Sequence, residues 1–287
     1  TNHVYFNWDI LEDKTRLIRN PSFFNELNRK DASKPLVILD EIHKYRRWKN
    51  YLKGVFDSFK KDFQFFILGS GRLDTFRRGG DSLAGRYFQF FIWPFTVAEL
   101  SASRVTFEEF KKDPLLSPVP SKVDQMHWES LAALSGFPEP FLSGKKTTHR
   151  RWARHYKEQL IRGDIRSMSL LADLDSVEIL FSLLPSRVGS PLSLASLARD
   201  LQVSFTSIRN WLMLFESFFL IFRIPPWTSR ISRAIKKEEK LYLFEYASIR
   251  EPGQRFENMV AVELWACCFK LERFGIRGFS TALHPKS

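Results

Sequence analysis

Cysteine is nearly absent: the only two, Cys267 and Cys268, are neighbours in the chain. Adjacent thiols close no useful loop, so a disulfide framework and a cysteine-based zinc site are both excluded, and a reducing, cytoplasmic setting is expected. Long apolar runs are missing as well. The most hydrophobic helical stretch, "WLMLFESFFLIF" from Trp211 to Phe222, contains Glu216 and is far shorter than the roughly 20 residues needed to cross a bilayer. It reads as core, and no membrane partner is expected. The opening "TNHVYFNWD" has no basic segment followed by an apolar one, which argues against a signal peptide, and no starting methionine, which suggests a start inside a domain. The six histidines form no HExxH or similar metal spacing, and no Ser-His-Asp arrangement is evident.

What is abundant is positive charge. The formal net charge is +12 over 287 residues, which concentrates acidic partners such as nucleic acid, nucleotide or an acidic protein near the surface without choosing among them. A chain of this length with 44% hydrophobic residues supports two or three packed units.

The amino-terminal third alternates strand and helix signals. "HVYFNWD" (3–9), "PLVILD" (35–40) and "FQFFILGSG" (63–71) read as strands; "TRLIRNPSFFNELNRK" (15–30), interrupted by Pro21, and "WKNYLKGVFDSFKK" (48–61) read as helices. Continuous apolar strands separated by helices indicate an α/β unit with a parallel sheet buried on both faces. Ligands of such sheets bind at the carboxyl ends of the strands, where Asp40 and Glu41 close "VILDE". There Asp40 can hold Mg²⁺ and Glu41 can deprotonate water for attack on a terminal phosphate. The competing reading is a helix cap and a surface ion pair. Ser70 follows the next strand and can meet the same edge, or serve only as a turn residue. Arg86, in "SLAGRYF", can reach phosphates from its own or a neighbouring subunit, or pair with an acid.

From "DPLLSPVPSK" (113–122) the chain turns proline-rich and then helical through about residue 184, with "ALSGFPEPFL" (133–142) reading as a turn between helices. Residues 186–226 read as helix, short turn, helix and apolar strand, an order that suits a winged helix-turn-helix with Ser204 capping its second helix. Arg209 and Asn210 are candidate DNA contacts on that helix, with Arg230, Arg233, Lys236 and Lys237 on phosphates. Winged helices also contact proteins, and Trp211, Leu212, Leu214 and Phe215 look like packing.

Taken together, "VILDEIHKYRRWKN", "FFILGSGRLDTFRRGGDSLAGRYF", "WPFTVAEL", "GFPEPFL", "YKEQLIRGDI" and "RFENMVAVEL" resemble, in order, the AAA-type P-loop ATPases of the AAA_14/DUF4143 family. The resemblance implies an AAA module over 1–112, a helical region over 113–184, a winged helix-turn-helix over 185–240 and a DUF4143 segment of PD-(D/E)XK nuclease type over 241–287. It implies ATP and Mg²⁺ as cofactors, Asp40 and Glu41 as the Walker B acids, Ser70 as the polar sensor and Arg86 as the arginine of the "SLAGR" motif, with a homo-oligomer as a candidate assembly.

The sequence departs from that family in two places. It contains no glycine-rich loop ending in Gly-Lys-Ser/Thr, and after "RFENMVAVEL" it closes on "GIRGFSTALHPKS" without the later acidic and lysine positions of the nuclease fold. The expectation is therefore an incomplete ATPase core and a truncated DUF4143 segment, with weak or absent ATP hydrolysis and no nuclease activity; Glu257 or Glu263 can resemble a first acidic position of that fold, although an isolated helix glutamate is usually solvated. The alternative is a non-catalytic module that binds DNA or protein through the winged helix and the basic surface.

Overall fold

The computed structural model describes residues 2–27, 31–69, 83, 85–101, 107–113, 119–166, 173–226 and 238–273. They fall in two compact units, 1–91 and 92–287.

The first unit is built on three parallel strands, β1 (His3–Asn7), β2 (Leu36–Asp40) and β3 (Gln64–Leu68), with β2 in the centre. The crossovers carry helix α1 (Leu11–Arg19) and helix α2 (Trp48–Phe59). Acidic Glu12 and Asp13 in the first turn of α1 and Arg16 and Arg19 in its last turn complement the helix dipole. Pro21 follows the end of α1, and the chain resumes as a short 3-10 turn, Phe23–Glu26. Alternate strand residues Phe6, Val37 and Leu39 are buried with Leu17, Phe23, Phe24, Trp48, Leu52 and Val55 in one cluster. The Phe24 ring meets those of Phe59, Phe63 and Phe65 edge-on at 5.1–5.5 Å.

The other set of alternating residues behaves differently. Tyr5 and Phe66 on β1 and β3 are 48% and 45% exposed, so the sheet has one buried face among the described residues, not the two expected. The apolar run of β2 does not distinguish the cases. The polar His3, Asn7 and Gln64 on the flanking strands give those strands one wet side.

The second unit is mostly helical: α3 (Val97–Leu100), α4 (Phe107–Lys112), α5 (Lys122–Leu134), α6 (Pro138–Ser143), α7 (Lys146–Glu158), α8 (Leu174–Leu183), α9 (Leu194–Asp200), α10 (Phe205–Ser217) and α11 (Pro252–Arg273). Strands β4 (Ile221–Ile224) and β5 (Lys240–Leu243) form an antiparallel ribbon. Trp93, Phe95, Val97 and Leu100, from the segment grouped with the ATPase part in the sequence, pack against this unit's core. Ser121 caps α5 in a reciprocal box with Asp124, and Asp173, Ser193 and Ser204 cap α8, α9 and α10. In α10 Ile208, Trp211, Leu212 and Phe215 are buried, the spacing of a single helix face.

"GFPEPFL" forms a helix where a turn is expected. Pro138 sits at the helix start, where its missing N–H costs nothing, and Gly144 closes α6 at φ +65°. Gly136 just before it is required by close approach: an added Cβ would lie 2.4 Å from the Phe95 carbonyl oxygen. Completely buried Asn258 of α11 accepts from the Leu243 N–H (2.8 Å) and donates to the Leu243 carbonyl (2.7 Å), standing in for a further strand beside β5. No helix among the described residues is long and apolar enough to cross a membrane.

The one-faced packing yields a stability contrast. Phe24→Ala is expected to cost about 3–5 kcal/mol, and Phe66→Ala less than about 1 kcal/mol. Urea unfolding of the two variants checks this, and equal losses would contradict it.

Candidate functional site

The register of the sheet builds the site. Asn7 pairs with Asp40, and Asp40 with Leu68, so the three strands stop in one row. The Trp8 N–H donates to the Asp40 carbonyl (3.0 Å) and the Glu41 N–H to the Leu68 carbonyl (3.2 Å). Glu41 then turns the chain at φ +53°, ψ +19°, a left-handed conformation uncommon for a residue with a side chain and concentrated at functional sites. A 3-10 turn, Ile42–Lys44, follows and buries Ile42 and His43.

Both acids are braced on one side. The Tyr5 hydroxyl donates to Asp40 Oδ2 at 2.5 Å and accepts from Asn7 Nδ2 at 3.4 Å. That bond to Asp40 holds the Tyr5 phenol above the usual tyrosine range, because losing its proton would leave two anions in contact. Lys44 Nζ pairs with Glu41 Oε2 at 2.8 Å and with Asp9 Oδ2 at 2.6 Å. Partial burial alone would lower the Lys44 ammonium, but the bonds to Asp9 and Glu41 outweigh it and raise it. His43 Nε2 lies 3.8 Å from the same Glu41 oxygen. Asp40 Oδ1 and Glu41 Oε1 accept no hydrogen bond from the described residues.

This donor set suits Mg²⁺ better than a closed metal cage. Mg²⁺ is usually held by one or two carboxylates and takes its other oxygens from water and substrate phosphates, whereas no group of three or more metal-binding side chains occurs among the described residues. The phosphate side has no counterpart in the sequence, which carries no glycine-rich Gly-Lys-Ser/Thr loop.

Of the residues singled out in the sequence, Asp40 and Glu41 share this edge. Ser70 lies outside the described residues, as do Arg230, Arg233, Lys236 and Lys237. Arg86 forms a fork on Asp57 of α2, Nε to Oδ1 at 2.8 Å and Nη2 to Oδ2 at 3.2 Å; the pairing lowers the Asp57 carboxyl and raises the guanidinium. Arg209 and Asn210 are exposed on α10. Glu257 is tied to Lys240 and Tyr242, and Glu263 accepts from the Val97 N–H, so both act in packing. Two residues of the edge were not foreseen. Tyr5 sits two positions before Asn7, on the face that Asp40 shares by register, and Lys44 follows Glu41 at i+3.

Comparison with known proteins agrees with the first unit and renames part of the second. Residues 1–101 match the family model of an AAA domain, so this part is similar to nucleotide-binding domains of AAA-type ATPases. Residues 125–247 match a domain of unknown function, DUF8612, where the resemblance named a helical region and a winged helix ahead of DUF4143. Uncharacterized proteins of Mycobacterium bovis and Mycobacterium tuberculosis are each 21% identical over 208 residues, 72% of this chain. The match spans 42% of the length of these curated relatives.

The braced carboxylate makes a spectroscopic prediction. In an NMR pH titration the Tyr5 ring titrates above 10, and Asp40→Asn returns it toward 10. No change in Asp40→Asn would mean that the phenol does not rest on that carboxylate in solution.

Proposed function

We propose that the first unit supplies the magnesium and water side of an ATP site of AAA type. The observation that carries this reading is the pairing of Asp40 and Glu41 at the end of the central parallel strand, each with one carboxylate oxygen open and the other braced. Asp40, oriented by the Tyr5 hydroxyl on Oδ2, would hold the cation by its open oxygen. Glu41 Oε1 takes the proton of an attacking water, while Lys44 fixes the carboxylate by its other oxygen. Mg²⁺ held there would supply charge neutralisation at the phosphate oxygens. Ser70 is proposed as the polar sensor of the same edge, and Arg86 as a phosphate-directed arginine that exchanges Asp57 for the ligand. The left-handed backbone of Glu41 supports the assignment, since such strain persists where an aimed side chain is needed.

The 287 residues carry no phosphate-cradling loop, so on their own they are expected to bind ATP weakly and to release phosphate slowly or not at all. Any Mg²⁺-dependent release that is seen should fall about 100-fold or more in Glu41→Gln, the usual contribution of a general base. ATP titration and phosphate release measure both. Efficient turnover by this chain, or turnover indifferent to Glu41→Gln, contradicts the reading.

A second reading concerns α9, α10 and the β4–β5 ribbon. Their order suits a winged helix, and α10 buries Ile208, Trp211 and Leu212 while presenting Arg209 and Asn210 to solvent. These two are proposed as contacts to duplex DNA. A salt-dependent shift of a duplex that weakens in Arg209→Ala supports it; no duplex binding at low salt eliminates it, leaving a protein partner for the module.

A further inference from the structure

Helix α7 carries more charge than any use described so far requires. Its sequence, "KTTHRRWARHYKE", holds a single acid, Glu158. Lys146, Arg150 and Arg154 recur every fourth residue and Lys157 follows three later, so all four line one side of the helix. At about 1.5 Å per residue the row is about 16 Å long. Like charges at this spacing repel along a helix, and α7 places no carboxylate between them.

The row borders a groove of about 940 Å³ that lies wholly within the second unit. Arg250 and Arg255, from the segment after β5 and the start of α11, line it too, giving six cations against two carboxylates, Glu129 and Glu245. One of those carboxylates is already engaged: buried His149 meets Glu245 Oε1 through Nε2 at 2.9 Å. Lys146, Arg150, Arg154 and Arg250 are exposed, and none forms an ion pair with a described residue. The surface between the charges is apolar and aromatic, with Ala153, Phe181 and Tyr156 among the lining residues. Tyr156 is stacked on Trp152, centroids 4.8 Å apart, and also meets Phe137 at 5.1 Å, and both it and Phe181 pack against the unit's core, so the floor of the groove is fixed.

We propose that this groove binds single-stranded nucleic acid, with the α7 cations on the phosphates and the apolar floor of the groove against the rest of the strand. The row is too long for one phosphate group and suits a polyanion. Guanidinium forks match phosphate oxygens, and a cationic groove that tracks the backbone holds a strand without reading its sequence. An acidic peptide shares the charge but lacks the tetrahedral oxygens that three of the groove's arginines on and beside α7 (Arg150, Arg154 and Arg250) can fork. The site is distinct from the Asp40 edge and from the exposed side of α10, and its test depends on neither.

Fluorescence anisotropy with labelled 20-nucleotide oligothymidylate and oligouridylate, across a salt series, tests the proposal. Four phosphate contacts on a single strand predict a slope of log K against log salt of about −3. Replacing two of the cations, Arg150→Ala with Arg154→Ala, should halve the slope and weaken binding at least tenfold. Lys53→Ala with Lys61→Ala in the first unit removes the same charge from exposed positions and should leave both unchanged. Arg150→Gln with Arg154→Gln replaces the alanine pair if its melting temperature falls. The two oligomers distinguish a preference for DNA from one for RNA. The proposal is overturned if neither binds, if the two charge-matched pairs have equal effect, or if polyglutamate displaces the strand as readily as unlabelled oligothymidylate.

Discussion

The in-register parallel pairing of β2 between β1 and β3 is the constraint from which the first unit's chemistry follows. Because Asn7, Asp40 and Leu68 are aligned, the central strand delivers a carboxylate at the point where its neighbours also stop. A slip of one residue would turn Asp40 toward the buried face, turn Leu39 out of it and move Tyr5 away from the carboxylate. The same register lets the Glu41 N–H close one more bond to β3 before the chain turns. The left-handed turn at Glu41 thereby brings two acids to one edge, and the 3-10 turn behind them places Lys44 against the second.

Packing supports that edge from one side. The aromatic cluster centred on Phe24 clamps the sheet from below, with Phe6, Val37 and Leu39 as its contribution from the strands. Within the second unit the corresponding fixture is polar: the Asn258 amide satisfies both backbone groups of Leu243 and docks the β4–β5 ribbon on α11. An unsatisfied backbone pair in that position would cost more than the neutral bonds gain, which explains a fully buried asparagine in an otherwise apolar helix face.

Much of this was legible before any coordinates. The three apolar runs gave three adjacent parallel strands, and Ser204 was readable as a cap because a serine before an apolar-periodic helix has few other uses. The site was half legible. Asp40 and Glu41 announce themselves by sequence adjacency, but Tyr5 lies 35 residues away and joins them only through strand register, which no local pattern encodes. The sheet's exposed face was missed because β2, the central strand, is apolar on both sides and dominated the reading over its polar neighbours. "GFPEPFL" was misjudged because proline was weighed as a breaker although it opens a helix as readily. Arg86 carried two readings; the structure supplies its partner, Asp57, whose position on α2 is a tertiary fact.

The chain thus carries an edge with two adjacent carboxylates, within a protein of net charge +12, and a second unit in which α7 presents a row of four cations. In the function proposed for the edge, Asp40 and Glu41 are aimed at a hard cation accompanied by phosphate. Paramagnetic broadening by Mn²⁺ in the presence of ATP, read on the backbone amides of an isotopically labelled chain, measures this directly. The resonances of Asn7, Trp8, Asp40 and Glu41 are expected to broaden first, and Asp40→Asn to abolish the effect. Broadening that is unchanged in Asp40→Asn, or that begins elsewhere in the chain, would contradict it.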